Sequence, residues 1–127
     1  MGCDIDLFLE YKNPITDEWM PFGYGYFIPR NYEMFAKMAG VRDNGQETIF
    51  QPKGFPENIS EYVNAMYKQY EGEYHNVSWL NKEEFEICIN GYKGSPMDII
   101  EYKAILVSME LFEENKIETR IIFWFFN

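Results

Sequence analysis

Cysteine, histidine and basic side chains are all scarce. Two cysteines, Cys3 and Cys88, in 127 residues are too few for a disulfide framework. With no basic stretch and apolar core at the Met-Gly-Cys-Asp start, they fit a reducing, cytoplasmic compartment. The single histidine, His75, leaves too few nitrogen ligands for a zinc centre, and neither Cys-x-x-Cys nor His-x-x-x-His spacing occurs. No metal and no cofactor is therefore expected. Lys and Arg number 11 against 21 Asp and Glu, a formal charge of −10. That balance repels phosphodiester backbones and anionic headgroups, so neither nucleic acid nor membrane is an expected partner. The apolar run at 121–126 falls far short of the ~20 residues of a membrane-spanning helix. Gly2 does not complete a myristoylation signal, because Asp6 stands where that signal needs Ser or Thr.

Aromatic rings, by contrast, are abundant: 3 Trp, 10 Tyr and 11 Phe make up 19% of the chain. One domain of this length has limited interior for so many rings, so some are expected to line a groove or an interface. Length and composition describe a single globular domain over residues 1–127.

Residues 3–11 alternate, with Ile5, Leu7, Leu9 and Tyr11 on one face and Asp4, Asp6, Phe8 and Glu10 on the other, the signature of a half-buried strand. Residues 18–22 can return as a hairpin partner, confined to an edge by Pro21. Gly23 to Phe27 reads as an aromatic, ligand-facing loop. Asn31 is a suitable N-cap for a helix to about Ala39 with Gly40 as its left-handed stop. Residues 41–56 form a long loop with Ile49, Phe50 and Phe55 packed inward. Ser60 caps a second helix to about Tyr70, and residues 71–76 read as a polar connector. Asn81 with Glu84 makes a capping box for a third helix closed by Gly91. Ser95-Pro96 starts a fourth, running to about Asn115 and burying Ile99, Ile100, Ala104, Val107 and Leu111. Residues 117–126, apolar on both faces after Arg120, read as a central strand. The expected fold is α+β: a small antiparallel sheet built from the N- and C-terminal strands and covered by three to four helices. The surplus of rings and the apolar final strand predict a homo-oligomer.

Charge is unevenly spread. Residues 30–53 hold Arg30, Lys37, Arg42 and Lys53 against Glu33, Asp43 and Glu47, and so carry a small positive excess; two of the chain's three arginines lie there. Arginine grips phosphate or carboxylate through two parallel hydrogen bonds, so an acidic protein that binds a small anion would concentrate it locally. Surface pairing with neighbouring acids is the plainer explanation for any single arginine.

Several blocks, taken in order, resemble a group of small phage and bacterial proteins. They are Met1-Gly2-Cys3-Asp4-Ile5, then Arg30-Asn31-Tyr32, Ala39-Gly40-Val41-Arg42, the loop Pro52-Lys53-Gly54-Phe55-Pro56, and His75 with Ser78-Trp79-Leu80. Proteins of that group open MGCDIH and continue with RNY, AGVR, P-x-G-L-P and H-x-x-SW-L blocks. The likeness spans about two thirds of the chain. This sequence departs from it at Asp6, where the group has His, and at Phe55, where it has Leu. The group is functionally uncharacterised; its phage association implies a counter-defence role, and small phage proteins of this sort include ones that sequester nucleotide immune signals.

Taken as walls of one pocket, those blocks offer Arg30, Arg42 and Lys53 for phosphates, Tyr32 and Trp79 for stacking a base, and Asn31, His75 and Ser78 for ribose or base edges. Each also has an ordinary structural explanation: core rings, an N-cap and a solvated histidine. Cys3 with His75 as a nucleophile–base pair, and Asp4 with Asp6 as an acid–base or cation-binding pair, are chemically conceivable but lack a catalytic signature. The leading expectation is noncatalytic sequestration of a phosphate-bearing, nucleotide-derived immune signal, of cyclic nucleotide or ADP-ribose type. Two alternatives stand beside it: an acidic protein that inhibits a host defence protein by direct binding, and a hydrolase of a signalling nucleotide.

Overall fold

In the computed structural model, which describes residues 2–127, four strands form one antiparallel sheet. Strand β1 (Asp4–Lys12) pairs with β4 (Thr119–Phe126) along nearly its whole length, from Asp4 opposite Phe126 to Tyr11 opposite Thr119. A three-residue β2 (Trp19–Pro21) lies on the outer edge of β1, and β3 (His75–Asn81) on the outer edge of β4, giving the order β2-β1-β4-β3. Pro21 sits on an edge strand, where its missing N–H costs no ladder bond. The expected α+β class and the pairing of the two terminal strands are both observed.

Three helices cover one face: α1 (Tyr32–Ala39), α3 (Lys82–Asn90) and α4 (Ile100–Glu114). Their apolar residues close on Ile5, Leu7, Leu9, Ile121, Phe123 and Phe125 from the strands. The caps follow local hydrogen-bonding rules. The Asn31 side chain accepts from the Met34 amide, and Gly40 ends α1 at φ 69°, a left-handed conformation that a side chain disfavours. Asn81 and Glu84 form a reciprocal capping box on α3.

The opposite face is covered as well, and here the structure departs from expectation. Residues Asp6, Phe8 and Glu10 belong to the face expected to be solvated, yet Phe8 and Glu10 are buried. Helix α2 (Glu61–Lys68), capped by Ser60, and the segments around it lay Tyr62, Val63, Met66, Tyr67 and Tyr74 over Phe8, Ile122 and Trp124. Much of the aromatic surplus lies in this second core, where Trp124 is ringed by Phe8, Phe55, Tyr67 and Tyr74 at centroid distances of 5.2–6.1 Å. Such offset and edge-on ring pairs add specific attraction to area burial.

A charged pair completes that face. Arg120 and Glu10 are both buried and meet at 2.7 Å. Arg120 also donates to the Glu57 and Asn58 carbonyls and lies 3.8 Å over the Trp19 ring, while the free oxygen of Glu10 accepts from the Ser60 amide. Every lone pair and proton that matters has a partner, the condition under which a buried ion pair is tolerated.

Three further expectations are corrected. His75 and Asn76, expected at the end of the 71–76 polar connector, instead open strand β3 (His75–Asn81), and Glu71–Glu73 forms a short 3-10 turn. The last α-helix begins at Ile100, preceded by a separate 3-10 turn at Pro96–Asp98. Its buried stripe is Tyr102, Ile105, Leu106 and Met109; Ile100, Ala104, Val107 and Leu111 face solvent. The apolar β4 needs no subunit to cover it, because it is a central strand between two layers. Among the described residues no helix is long and apolar enough to cross a membrane.

Candidate functional site

The eight residues singled out in the sequence sort into two groups. The first gathers at the end of the sheet where β1 begins and β4 ends. Arg30 grips the Asp4 carboxylate through Nε at 2.7 Å and a terminal nitrogen at 3.1 Å, a bidentate clamp. Its guanidinium lies so close to Gly2 that a Cβ there would make this exposed side-chain end shift. Tyr32, at the first turn of α1, accepts a hydrogen bond from the Cys3 amide at its hydroxyl and carries Arg42 over its ring at 5.2 Å. Arg42 itself has φ 54°, a sparsely populated conformation for a side-chain-bearing residue.

Cys3 sits between these charges. Its thiol is pushed up by burial, with Arg42 and Arg30 pulling the other way and Asp4 adding to the rise. Asp4 is held below the usual carboxylate range, chiefly by its hydrogen bonds to Arg30. The two arginines come from different segments, twelve positions apart in the chain, yet both act on the same cysteine.

Asn31 and His75 flank this group with side chains already engaged. Asn31 caps α1 and donates through Nδ2 to the Asp98 carbonyl at 3.0 Å, pinning the turn before α4. The His75 ring nitrogens lie 3.1 Å from the Asn76 and 2.9 Å from the Asn127 side-chain oxygens. Asn76 in turn donates to the Ala39 carbonyl at the end of α1.

The second group lies along β3. Trp79 stands opposite Ile122 in the ladder, whereas Asp4 stands opposite Phe126, a separation along the sheet of about 13 Å at 3.3 Å per residue. Lys53 lies 4.0 Å over the Trp79 ring and pairs with both oxygens of Glu84 at 2.7 and 2.9 Å. Ser78 is buried and accepts from the Lys53 amide, while Gly54 donates to the Val77 carbonyl. The 52–56 loop thus satisfies part of the exposed edge of β3, as edge strands require. Trp79 borders an open cleft of ≈490 Å³ that reaches Trp19, Phe55 and Arg120.

Sequence reasoning found the arginines but missed Gly2, Cys3 and Asp4 as their neighbours. The signal was present in the Met-Gly-Cys-Asp start, which reads only as a strand opening until β1 is placed beside residue 30. The conceivable Asp4–Asp6 pair is divided in role. Asp4 serves Arg30, whereas Asp6 accepts the Trp124 indole N–H at 3.0 Å, with its carboxyl raised mainly by burial. Cys88 is likewise buried, its thiol pushed up to about 12 by desolvation. Among the described residues no group of three or more His, Cys, Asp or Glu is arranged to hold a metal ion. Comparison with family models, curated proteins and solved structures returns no match to this chain.

Proposed function

We propose that the protein binds, without chemical change, a phosphate-bearing small molecule derived from a nucleotide, and that Arg30 and Arg42 take the phosphate. One observation carries this reading. In a chain with a net charge of −10, two of three arginines come from separate segments to one end of the sheet, Arg30 on Asp4 and Arg42 over the Tyr32 ring whose hydroxyl takes the Cys3 amide. The third is buried and paired with Glu10. An exposed arginine fork that already holds a carboxylate in two-point geometry is suited to exchange it for a phosphate of the same shape. Tyr32 gives the site an aromatic surface beside the charge.

Binding suits the site better than nucleophilic catalysis. The thiolate is the reactive form of cysteine, and burial of Cys3 works against it. With the resemblance to small phage proteins, the reading becomes sequestration of a nucleotide immune signal inside the infected cell, a counter-defence role.

Thermal unfolding in the presence of ADP-ribose, cyclic dinucleotides and mononucleotides tests this, followed by chromatography of the recovered ligand. A binder gains stability as RT ln(1 + [L]/Kd), a rise of about 2.7 kcal/mol at a hundredfold excess over Kd. The expected result is a shift with one ligand class, the ligand returned intact, and no shift for Arg42→Ala or Arg30→Ala. Ligand returned cleaved would make the protein a hydrolase. No shift with any of them would leave the acidic surface as the active feature and a host protein as its target.

A further inference from the structure

Helix α4 carries two apolar stripes, and the sheet takes only one. Tyr102, Ile105, Leu106 and Met109 enter the core. Ile100, Val107 and Leu111 remain 49, 63 and 61% exposed, with Ala104 exposed between them. The spacing 100, 104, 107, 111 is that of alternating d and a positions in a heptad, a straight seam along the helix. Met97, 74% exposed, adds an apolar side chain in the 3-10 turn just before the helix. Scattered apolar side chains on a surface need no explanation, but a contiguous seam over three turns marks an interface.

We infer that α4 is the contact between two copies of this chain, packed antiparallel about a twofold axis. Charge identifies the occupant and the register. In an antiparallel pair, a layers meet d layers, while the flanking g positions face g, and e faces e, on the other helix. Here the g positions are Lys103 and Glu110, and the e positions are Glu101 and Ser108. With Ile100 against Leu111 of the second copy and Ala104 against Val107 of the second copy, each Lys103 faces a Glu110 and each Glu101 faces a Ser108. Two opposite-charge pairs form and no like-charge pair. A slip of one heptad one way sets Lys103 against Lys103 and Glu101 against Glu101; the other way sets Glu110 against Glu110. The helix is self-complementary in one register and repels itself in its neighbours, which is how an isologous interface is specified.

Nothing within the chain competes for these groups, since among the described residues neither Lys103 nor Glu110 enters an ion pair. The small Ala104 near the middle of the seam lets the two axes approach closely. The same register brings Ile100 of the second copy to the C-terminal end of α4, where Phe22, Leu111, Phe112 and Ile117 line an apolar hollow of ≈350 Å³. Four layers make a small interface, so the dimer should dissociate in roughly the micromolar range. This inference rests on the surface of α4 alone and stands apart from the ligand reading.

Sedimentation velocity of the full chain from about 1 to 100 μM tests it, because a dimer's population depends on protomer concentration. The expected record is a monomer–dimer equilibrium that Val107→Glu abolishes while leaving circular dichroism unchanged. Lys103→Glu and Glu110→Lys, each alone, should raise the dissociation constant about tenfold. An equimolar mixture of those two variants should restore wild-type association, since opposite charges then face each other across the pair. A monomer at every concentration, a dimer that survives Val107→Glu, or a mixture no tighter than its separate components would each overturn the assignment.

Discussion

Arg120 carries a positive charge into the second core, where it meets Glu10 and two backbone carbonyls. Removing it leaves the Glu10 carboxylate buried with no opposite charge, held only by the Ser60 amide, and takes the donor from both carbonyls, so Arg120→Ala should cost about 3–5 kcal/mol in urea unfolding. A loss under 1 kcal/mol would mean that water reaches the pair. Asp6 makes the opposite prediction. Burial raises its carboxyl above the unfolded value, so the fold favours the protonated form, and its contribution to stability is lost as pH rises through the folded pKa. Asp6→Asn keeps an acceptor for the Trp124 indole and removes the charge. The variant should melt a few degrees above wild type at neutral pH, with the gain vanishing as pH falls below the unfolded carboxyl value near ~3.9. A gain independent of pH would point to packing instead. Asp6 and Glu10, the partner of Arg120, belong to the β1 face that alternation alone marks as solvated, because period-2 patterning cannot reveal a second layer recruited from residues 55–74.

Among the elements, those with local signals were legible and those defined by distant partners were not. Asn31, Ser60 and Asn81 announce α1, α2 and α3 through hydrogen bonds made within three residues. Strand β3 has no such marker. Its polar start at His75 and Asn76 becomes strand only by pairing with β4, across an irregularity between His75 and Ser78. In α4 the exposed seam and the buried stripe are both apolar at helical spacing, so periodicity alone cannot choose which one meets the sheet. At this scale Asn31 makes two separable structural contacts, the helix cap and the tie to the Asp98 carbonyl. Asn31→Asp preserves the cap but loses the donor to the Asp98 carbonyl, whereas Asn31→Ala loses both. Chemical denaturation should place Asn31→Ala about 1–2 kcal/mol below wild type and Asn31→Asp between them. Equal losses would mean the tie to the turn before α4 carries all of Asn31's contribution.

At the scale of the molecule, the two ends of the chain are bound together as neighbouring strands, and this is what creates the candidate site. Residues 2–4 arrive beside Arg30, Tyr32 and Arg42 because β1 lies against β4 and α1 packs on the sheet face with its first turn at the start of β1. The arginine excess of residues 30–53 was visible in composition. That Lys37 is buried against Glu33 and Glu47, that Lys53 is paired with Glu84, and that Arg30 and Arg42 share one neighbourhood were not, because each depends on contacts remote in sequence. The most direct test of the account is isothermal titration of the wild-type protein and of Arg42→Ala with ADP-ribose and a cyclic dinucleotide at two salt concentrations. The account predicts saturable binding of one ligand class by wild type, weakened by salt as a phosphate contact should be, and lost in the folded variant. Equal affinity in Arg42→Ala, or no heat of binding with either ligand, would contradict it.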